Sequence, residues 1–364
     1  MKRNYHTIDK QGKVGERELA EFLVRNGQAL LPMVELIEQS RVAIDEWIQV
    51  MGRASIEAVL ELSARQVAGA PQQGKARAGE IVRHGSQTGR VYLKERQLRV
   101  SKPRLRKKGR GPNKEVAIPA YEAMQADTAT AQRMLEILLK GVSTRRYSGV
   151  IPEMADTVGV SRSAVSREAI EASEAALKML SERRLDQTDL LVIYLDGMKF
   201  GEQCVLAAVG VDSQGSKHVL ALREGSTENA ETAKDLLEQL VAQGVDPQRR
   251  RLFVVDGSKA LRTAINAVFG EHPVQRCRNH KLRNVLTRLP RQQQAQTASL
   301  MRAAWKLGEK EGMAKFRQIA GWLEQNYPDA AASLLEGLEE CFTLNRLGCP
   351  TLPAPLPGYQ QHRG

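Results

Sequence analysis

Leu190-Leu-Val-Ile-Tyr-Leu-Asp196-Gly197 and, further on, Leu252-Phe-Val-Val-Asp256-Gly257 are two uninterrupted apolar runs, each closed by Asp-Gly. Runs this short, rich in Val, Ile and Leu, fit strands buried on both faces, with Asp-Gly as the turn that ends each one. A lysine follows three residues after each aspartate, Lys199 and Lys259. If the two strands are neighbours, both carboxylates emerge at the same sheet edge.

The surrounding pattern extends this reading. Gln203 to Val211 and Lys217 to Arg223 read as two more strands, separated by the turn residues Asp212 to Ser216. Glu228 to Val241 has helical periodicity, Ser258 to Phe269 reads as a helix capped by Ser258, and Pro273 to Cys277 as a further short strand. From His280 onward the pattern is helical. The order β-β-β-α-β-α-β is the ribonuclease H-like order, not that of a doubly wound dinucleotide fold. No Gly-rich phosphate loop is present, which argues against a nucleotide cofactor. The expected fold is α/β: a ribonuclease H-like mixed sheet with an all-helical insertion, preceded by an α-helical region with a helix-turn-helix.

The aspartates suggest a chemistry. Hard divalent ions such as Mg²⁺ bind through one or two carboxylates, with phosphate oxygens and water completing the shell. Two such ions activate an attacking oxygen and stabilise the leaving one in phosphodiester cleavage. Asp196 and Asp256 are therefore the candidate catalytic and metal-binding pair, for Mg²⁺ or Mn²⁺. Either Asp-Gly alone would read as an ordinary turn. Cys277-Arg-Asn-His280 supplies two residues of zinc-ligand type, but a structural zinc needs four and no other cysteine has matching spacing, so a structural role at a strand-to-helix corner is expected.

The 364 residues carry 54 Lys and Arg against 42 Asp and Glu, a net charge of +12. Apolar residues make up 42% of the chain, enough for a packed core and too many for a disordered or fibrous protein. No apolar run approaches the ~18 residues of a membrane helix, and Met1 to His6 lacks the apolar stretch of a secretory signal. Four cysteines are too few for a disulfide scaffold, so a reducing cytoplasmic location without a membrane partner is expected.

The excess charge is local. Between Arg77 and Arg110 there are twelve Lys or Arg against Glu80 and Glu95. Arg90 to Val100 reads as a short hairpin turning at Lys94 to Gln97. After it come Arg104, Arg106, Lys107, Lys108 and Arg110 in an arm expected to meet solvent or a polyanion. Further on, Pro152 to Arg167 has the layout of a helix-turn-helix. Pro152 would open the first helix, Gly159 take the left-handed turn and Ser161 cap the second helix; Val160 and Val165 would face inward. Arg162, Ser163, Ser166 and Arg167 would then face outward toward DNA, with Arg145 and Arg146 as basic neighbours. Residues 16–70 are helical in pattern, Gly69 to Gly79 reads as a linker, and Ala129 to Lys140 as a helix closed by Gly141. The expected division is 1–75 helical, 76–120 basic hairpin and arm, and 121–185 helix-turn-helix. The catalytic core follows over 186–285, a helical insertion over 286–347, and an aberrant Pro-rich tail over 348–364.

Tyr194-Leu-Asp196-Gly, Val255-Asp256-Gly-Ser-Lys-Ala-Leu261 and Gln275-Arg-Cys277-Arg-Asn-His280-Lys-Leu-Arg283-Asn284 together resemble the Mutator-type transposases of bacterial insertion sequences. The likeness runs over about residues 20–345 and includes Trp322, Tyr327 and Pro328 in the helical segment. It implies a DDE transposase that cleaves element ends and transfers the freed 3′-hydroxyl to target DNA. Asp196 and Asp256 would be the first two acids and double-stranded DNA the partner, bound by a homo-oligomer. The family's third acid, a glutamate in Thr-Asn-x-x-Glu, has no counterpart here: Cys349 to Gly364 is Pro-rich instead. Glu309, Glu311, Glu324, Glu336, Glu339 and Glu340 lie in no matching motif. The expected reading is a transposase truncated before its third acid, which binds DNA but cleaves it poorly; the two other readings are a non-catalytic DNA-binding regulator or dominant-negative fragment, and a nuclease acting on RNA or hybrids.

A frameshift is the expected origin of the tail. With synonymous codons so chosen, Gly358 to Gly364 can be written GGC TAC CAA CAA CAT CGA GGN, and one base later the frame reads Ala-Thr-Asn-Asn-Ile-Glu. Sequencing the gene beyond codon 348 is expected to find that glutamate and a continuing helix in a neighbouring frame; their absence from every frame overturns the frameshift.

Overall fold

A computed structural model describes residues 15, 17–23, 36–71, 79–93, 96–109, 114–126, 128–161, 165–200, 203–227 and 229–348. Its centre is a five-stranded sheet of order β6-β5-β4-β7-β8, made of β4 (Leu190–Phe200), β5 (Gln203–Asp212), β6 (Lys217–Glu224), β7 (Leu252–Val255) and β8 (Val274–Arg276). The first three strands pair antiparallel, and β4, β7 and β8 pair parallel. Parallel neighbours require crossovers, provided by α7 (Ala230–Ala242) between β6 and β7 and α8 (Lys259–Phe269) between β7 and β8.

Alternation along the strands explains why their sequences are apolar throughout. Ile193, Leu195, Leu206, Phe253 and Val255 form one core with Leu236, Leu237, Leu261 and Ile265 of the crossover helices. Val192, Tyr194, Val209, Leu252 and Val254 form another, with Leu19, Phe22 and Leu23 of α1 (residues 17–23) and with Leu344 and Leu347. Both sides are buried, so no residue between Leu190 and Leu195 is free to be polar. The predicted strands hold, with one difference: β4 does not end at Asp196-Gly197 but continues to Phe200, because β5 pairs with it along the whole length, through Gly197↔Leu206 to Phe200↔Gln203.

The N-terminal part is a helical layer with a three-stranded sheet. Helix α2 (Leu36–Ala68) packs Ile56, Val59 and Leu60 into a core shared with Val91, Leu93, Leu98 and Val100 of β1 (Ile81–Leu93) and β2 (Arg96–Lys107). The hairpin is longer than the sequence pattern suggests, and the arm is no arm. Residues up to Lys107 belong to β2, which pairs with β3 (Glu115–Val116) and buries Leu105. Arg110 lies outside the described residues, as does most of the predicted linker.

Helices α3 (Pro119–Ala126), α4 (Thr128–Ser143), α5 (Tyr147–Thr157) and α6 (Arg167–Ser181) complete this layer. Gly141 does not close a helix; it lies inside α4, and a Cβ there would overlap the Val150 side chain of α5. The helix-turn-helix expectation is corrected in two places. Pro152 sits within α5 rather than at its start, and the second helix begins at Arg167, capped by Ser166, whose hydroxyl accepts from Ala169 N at 3.2 Å. Ser161 is an exposed residue before that start, and Ser166 holds the N-cap position of α6 instead. The turn itself follows expectation: Gly159 has φ +72°, and Val160 and Val165 are buried.

Beyond β8 lie α9 (Arg278–Leu286), α10 (Arg291–Ala304), α11 (Glu309–Glu324), α12 (Pro328–Leu335), a short 3-10 helix (Glu339–Phe342) and α13 (Thr343–Arg346). They build a separate core around Met301, Phe316, Leu323, Leu334 and Phe342. No helix among the described residues is long and apolar enough to cross a membrane.

Gly141→Ala tests the α4–α5 contact. In an exposed helix this change stabilises by about 1 kcal/mol, but here the methyl has no room. A loss of about 1–3 kcal/mol is expected, read from the urea midpoint.

Candidate active site

Parallel register sets the site. Leu195 of β4 lies opposite Val255 of β7, so the next residue on each strand is an aspartate and the two are level. Asp196 is 2% exposed, in mid-strand opposite Ala207 of β5. Asp256 follows the end of β7 and makes a tight turn: its Oδ1 accepts from Ser258 N at 2.8 Å, and Gly257 has φ +104°. One carboxylate thus stands on a paired strand and the other on a turn. Ser258 occupies the N-cap position of α8 but makes no side-chain cap; its hydroxyl donates to Thr227 O at 2.5 Å. That bond holds the β6–α7 connection over Gly197, where a Cβ would come within 2.9 Å of the Thr227 side chain.

The Cys277–His280 pair divides its duties. Cys277 is fully buried in the core under the sheet, and its N donates to Val255 O at 2.7 Å, extending the β7–β8 ladder. His280, one turn into α9, brings Nε2 to 3.9 Å from Asp196 Oδ1. Burial holds its imidazole below the ordinary histidine value, against the pull of the Asp256 carboxylate. Among the described residues its Nδ1 is buried without a hydrogen-bond partner. Sequence reasoning left His280 at a structural corner. The signal for its true place was the strand order, since a helix leaving β8 passes the end of β7.

The residues fit a divalent ion in part. Two level carboxylates are what Mg²⁺ takes from a protein when a phosphate and water supply the remaining ligands. Among the described residues, no group of three or more His, Cys, Asp or Glu is placed to hold a metal without such help.

The rest of the Gln275–Asn284 stretch grips the helical segment. Gln275 Oε1 accepts from Leu344 N at 2.9 Å and its Nε2 donates to Cys341 O at 3.1 Å. Arg278 donates to Asn345 Oδ1 at 2.6 Å. Arg276 lies between two glycines, donating to Gly257 O at 3.1 Å and to Glu336 O at 2.8 Å; a Cβ on Gly257 or Gly337 would overlap its guanidinium. It joins the Asp256 turn directly to the end of α12. Lys281, 1% exposed, donates to the carbonyls of Ser333 and Glu336 at the same helix end, where the helix dipole favours positive charge. Burial nevertheless pulls its ammonium down to about 8.

The basic residues fare unevenly. Arg104 and Arg106 both pair with Glu115 of β3. Lys107 and Lys108 are exposed at the end of β2. Arg145 pairs with Glu182 at 3.9 Å, and Arg146 is exposed at the start of α5. Arg167 is 94% exposed and 3.3 Å from Glu171. Arg162 and Ser163 lie outside the described residues.

Comparison with known proteins gives a consistent answer. A family model described as "Transposase, Mutator family" matches residues 27–348. The chain is 30% identical over 227 residues to the transposase for insertion sequence element IS256 in transposon Tn4001 of Staphylococcus aureus, covering 59% of this chain and 57% of that protein. It is 29% identical over 234 residues to the transposase for insertion sequence element ISRM5 of Rhizobium meliloti, covering 61% and 57%. A third relative is the transposase for insertion sequence element IS406 of Burkholderia multivorans, 30% identical over 188 residues, 49% of this chain and 47% of that one. The matches span about half the length of these relatives.

Two predictions follow from the clamp. Arg276→Ala leaves two carbonyls without their charged donor and is expected to cost about 2–4 kcal/mol, with hydrogen exchange rising first in residues 286–348. For Lys281, the folded state releases its proton near pH 8 and the unfolded state near the ordinary lysine value, so the unfolded chain binds more protons in between. This group's share of stability therefore rises as pH passes about 8 toward the ordinary lysine value, and ionisation of the unfolded cysteines opposes it, since burial pushes the Cys341 thiol up to about 11 in the folded state. Lys281→Met is expected to flatten that rise in urea titrations.

Proposed function

Since the chain belongs to the Mutator family of transposases, we propose that it binds duplex DNA at the ends of an insertion sequence and carries the first two acids of a DDE centre for end cleavage and strand transfer. The observation that carries this reading is the level pair Asp196 and Asp256 on parallel neighbours, with His280 beside them. The strand order β6-β5-β4-β7-β8, with its antiparallel and parallel halves, supports a ribonuclease H-like core. Helices α5 and α6, joined through the Gly159 turn, support a helix-turn-helix. Assembly of several copies on DNA and location at the nucleoid belong to the same proposal.

Asp196 and Asp256 would hold Mg²⁺ or Mn²⁺ at the scissile phosphate. Such an ion supplies charge stabilisation for in-line displacement at phosphorus. The chain's own residues do the positioning. The paired strand fixes Asp196, while the Ser258 N–H holds one oxygen of Asp256 so that its carboxylate has a single orientation. Arg276 keeps the helical segment against the turn that carries Asp256.

The pair also makes a prediction about stability. Two neighbouring carboxylates repel until a cation binds, so Asp256→Asn is expected to melt at an equal or higher temperature than the wild type without divalent ions. Added Mn²⁺ is expected to raise the wild-type melting temperature by mass action and leave the variant unmoved. The same Mn²⁺ shift in both proteins would remove Asp256 from the metal site. DNA binding by the wild type with neither a Mn²⁺ shift nor cleavage would favour the non-catalytic DNA-binding regulator or dominant-negative fragment instead.

A further inference from the structure

The solvent face of the β1–β2 hairpin carries a charge arrangement that neither the fold nor the carboxylate site explains. Of the six described arginines in the basic window, four have acidic partners. Arg83 pairs with Glu61 at 2.9 Å, Arg96 with Asp45, and Arg104 and Arg106 with Glu115. Arg90 and Arg99 are the exception. They lie directly opposite each other across the hairpin, both exposed, and among the described residues neither has an acidic partner.

The backbone brings these two especially close. The N–H of Arg90 donates to the Tyr121 hydroxyl at 3.2 Å, and its carbonyl accepts from Tyr121 at 3.2 Å and from Gln125 Nε2 at 2.7 Å. Both groups thus face α3, away from β2. Arg90 and Arg99 therefore form a non-hydrogen-bonded pair, the kind whose Cα atoms approach to ~4.5 Å with side chains nearest. Like charges directly opposite one another destabilise a hairpin. The neighbouring pairs on the same face are polar: Thr88 opposite Ser101, and Tyr92 opposite Gln97, whose Nε2 donates to the Tyr92 hydroxyl at 3.0 Å. The opposite face is buried, with Val91, Leu93, Leu98 and Val100 in the core, which holds the outer face rigid.

We propose that this outer face is a duplex-DNA contact surface in which Arg90 and Arg99 are set against backbone phosphates. It rests on the reading of the chain as a DNA-binding transposase and assigns a surface outside both the helix-turn-helix and the Lys107–Lys108 end of β2. A polyanion turns the arginine pair from a repulsive contact into a favourable one. A two-stranded ribbon fits the ~12 Å width of the DNA major groove. The polar pairs flanking the arginines have donors and acceptors suited to bases and sugars.

The test uses the full chain and a fluorescein-labelled duplex of arbitrary sequence, titrated between about 50 and 200 mM salt. Arg90→Gln/Arg99→Gln is expected to bind on the order of tenfold more weakly and to lower the slope of log K against log salt by about 1.8, two phosphates' worth. Arg99→Glu places an acid opposite Arg90, so it is expected to melt at an equal or higher temperature than the wild type while binding DNA more weakly still. Unchanged affinity and slope in folded variants overturn the assignment, as does a lower melting temperature for Arg99→Glu. A loss seen only with an RNA duplex of the same sequence overturns DNA as the occupant. Failure of the wild type itself to bind duplex DNA would instead overturn the transposase reading on which the assignment rests.

Discussion

The parallel pairing of β4 with β7 is the constraint on which the rest of the molecule depends. A one-residue slip would turn the apolar sets of the strand to the wrong faces, and both faces of this sheet are buried. The register is therefore fixed by burial, and it makes Asp196 and Asp256 level. Their nearness is imposed by hydrophobic packing below them. Parallel pairing also demands crossovers, which bring α8 in directly after Asp256 and lead the chain through β8 into α9, delivering His280 to the same place.

The second organising element is the stretch from Gln275 to Lys281. It is an edge strand running into a helix, and four of its polar side chains reach the helical segment: Gln275 to residues 341 and 344, Arg276 to 336, Arg278 to 345, Lys281 to 333 and 336. These bonds cover the free edge of β8 and connect a separately packed core to the sheet. Two of the donors are cations buried with backbone carbonyls as their main partners. Such an arrangement costs desolvation and is held by geometry alone. Arg276 fits only because positions 257 and 337 are glycine.

Much of this was legible in the sequence, for identifiable reasons. The five strands and the two crossover helices announced themselves because short apolar runs bounded by turn residues differ sharply from longer stretches of helical periodicity. The level aspartates were inferable from two matching run-and-turn patterns. Other features depended on long-range contacts that periodicity does not carry. Asp196-Gly197 looks like a turn, yet β5 keeps it in the ladder. Gly141 looks like a helix terminator, yet its role is to admit Val150. Ser161 and Ser166 are equivalent as caps in sequence, and only the structure puts the start of α6 at Arg167. Within the basic window, Arg104 and Arg106 share Glu115, whereas Arg90 and Arg99, spaced among apolar residues, face each other across the hairpin. Charge density along the chain is not charge density in space.

The bonds that Tyr121 and Gln125 make to Arg90 have one more consequence. A long exposed strand such as β1 offers a template on which another chain can add a strand. Here a helix-borne hydroxyl and amide occupy the backbone groups midway along that border, and a β-bulge between Arg83 and Ser86 breaks its regularity further out. On the other border, β3 is only two residues long and begins with Glu115. The sheet is thereby sealed against intermolecular zipping, and copies of this chain can crowd together without polymerising through it.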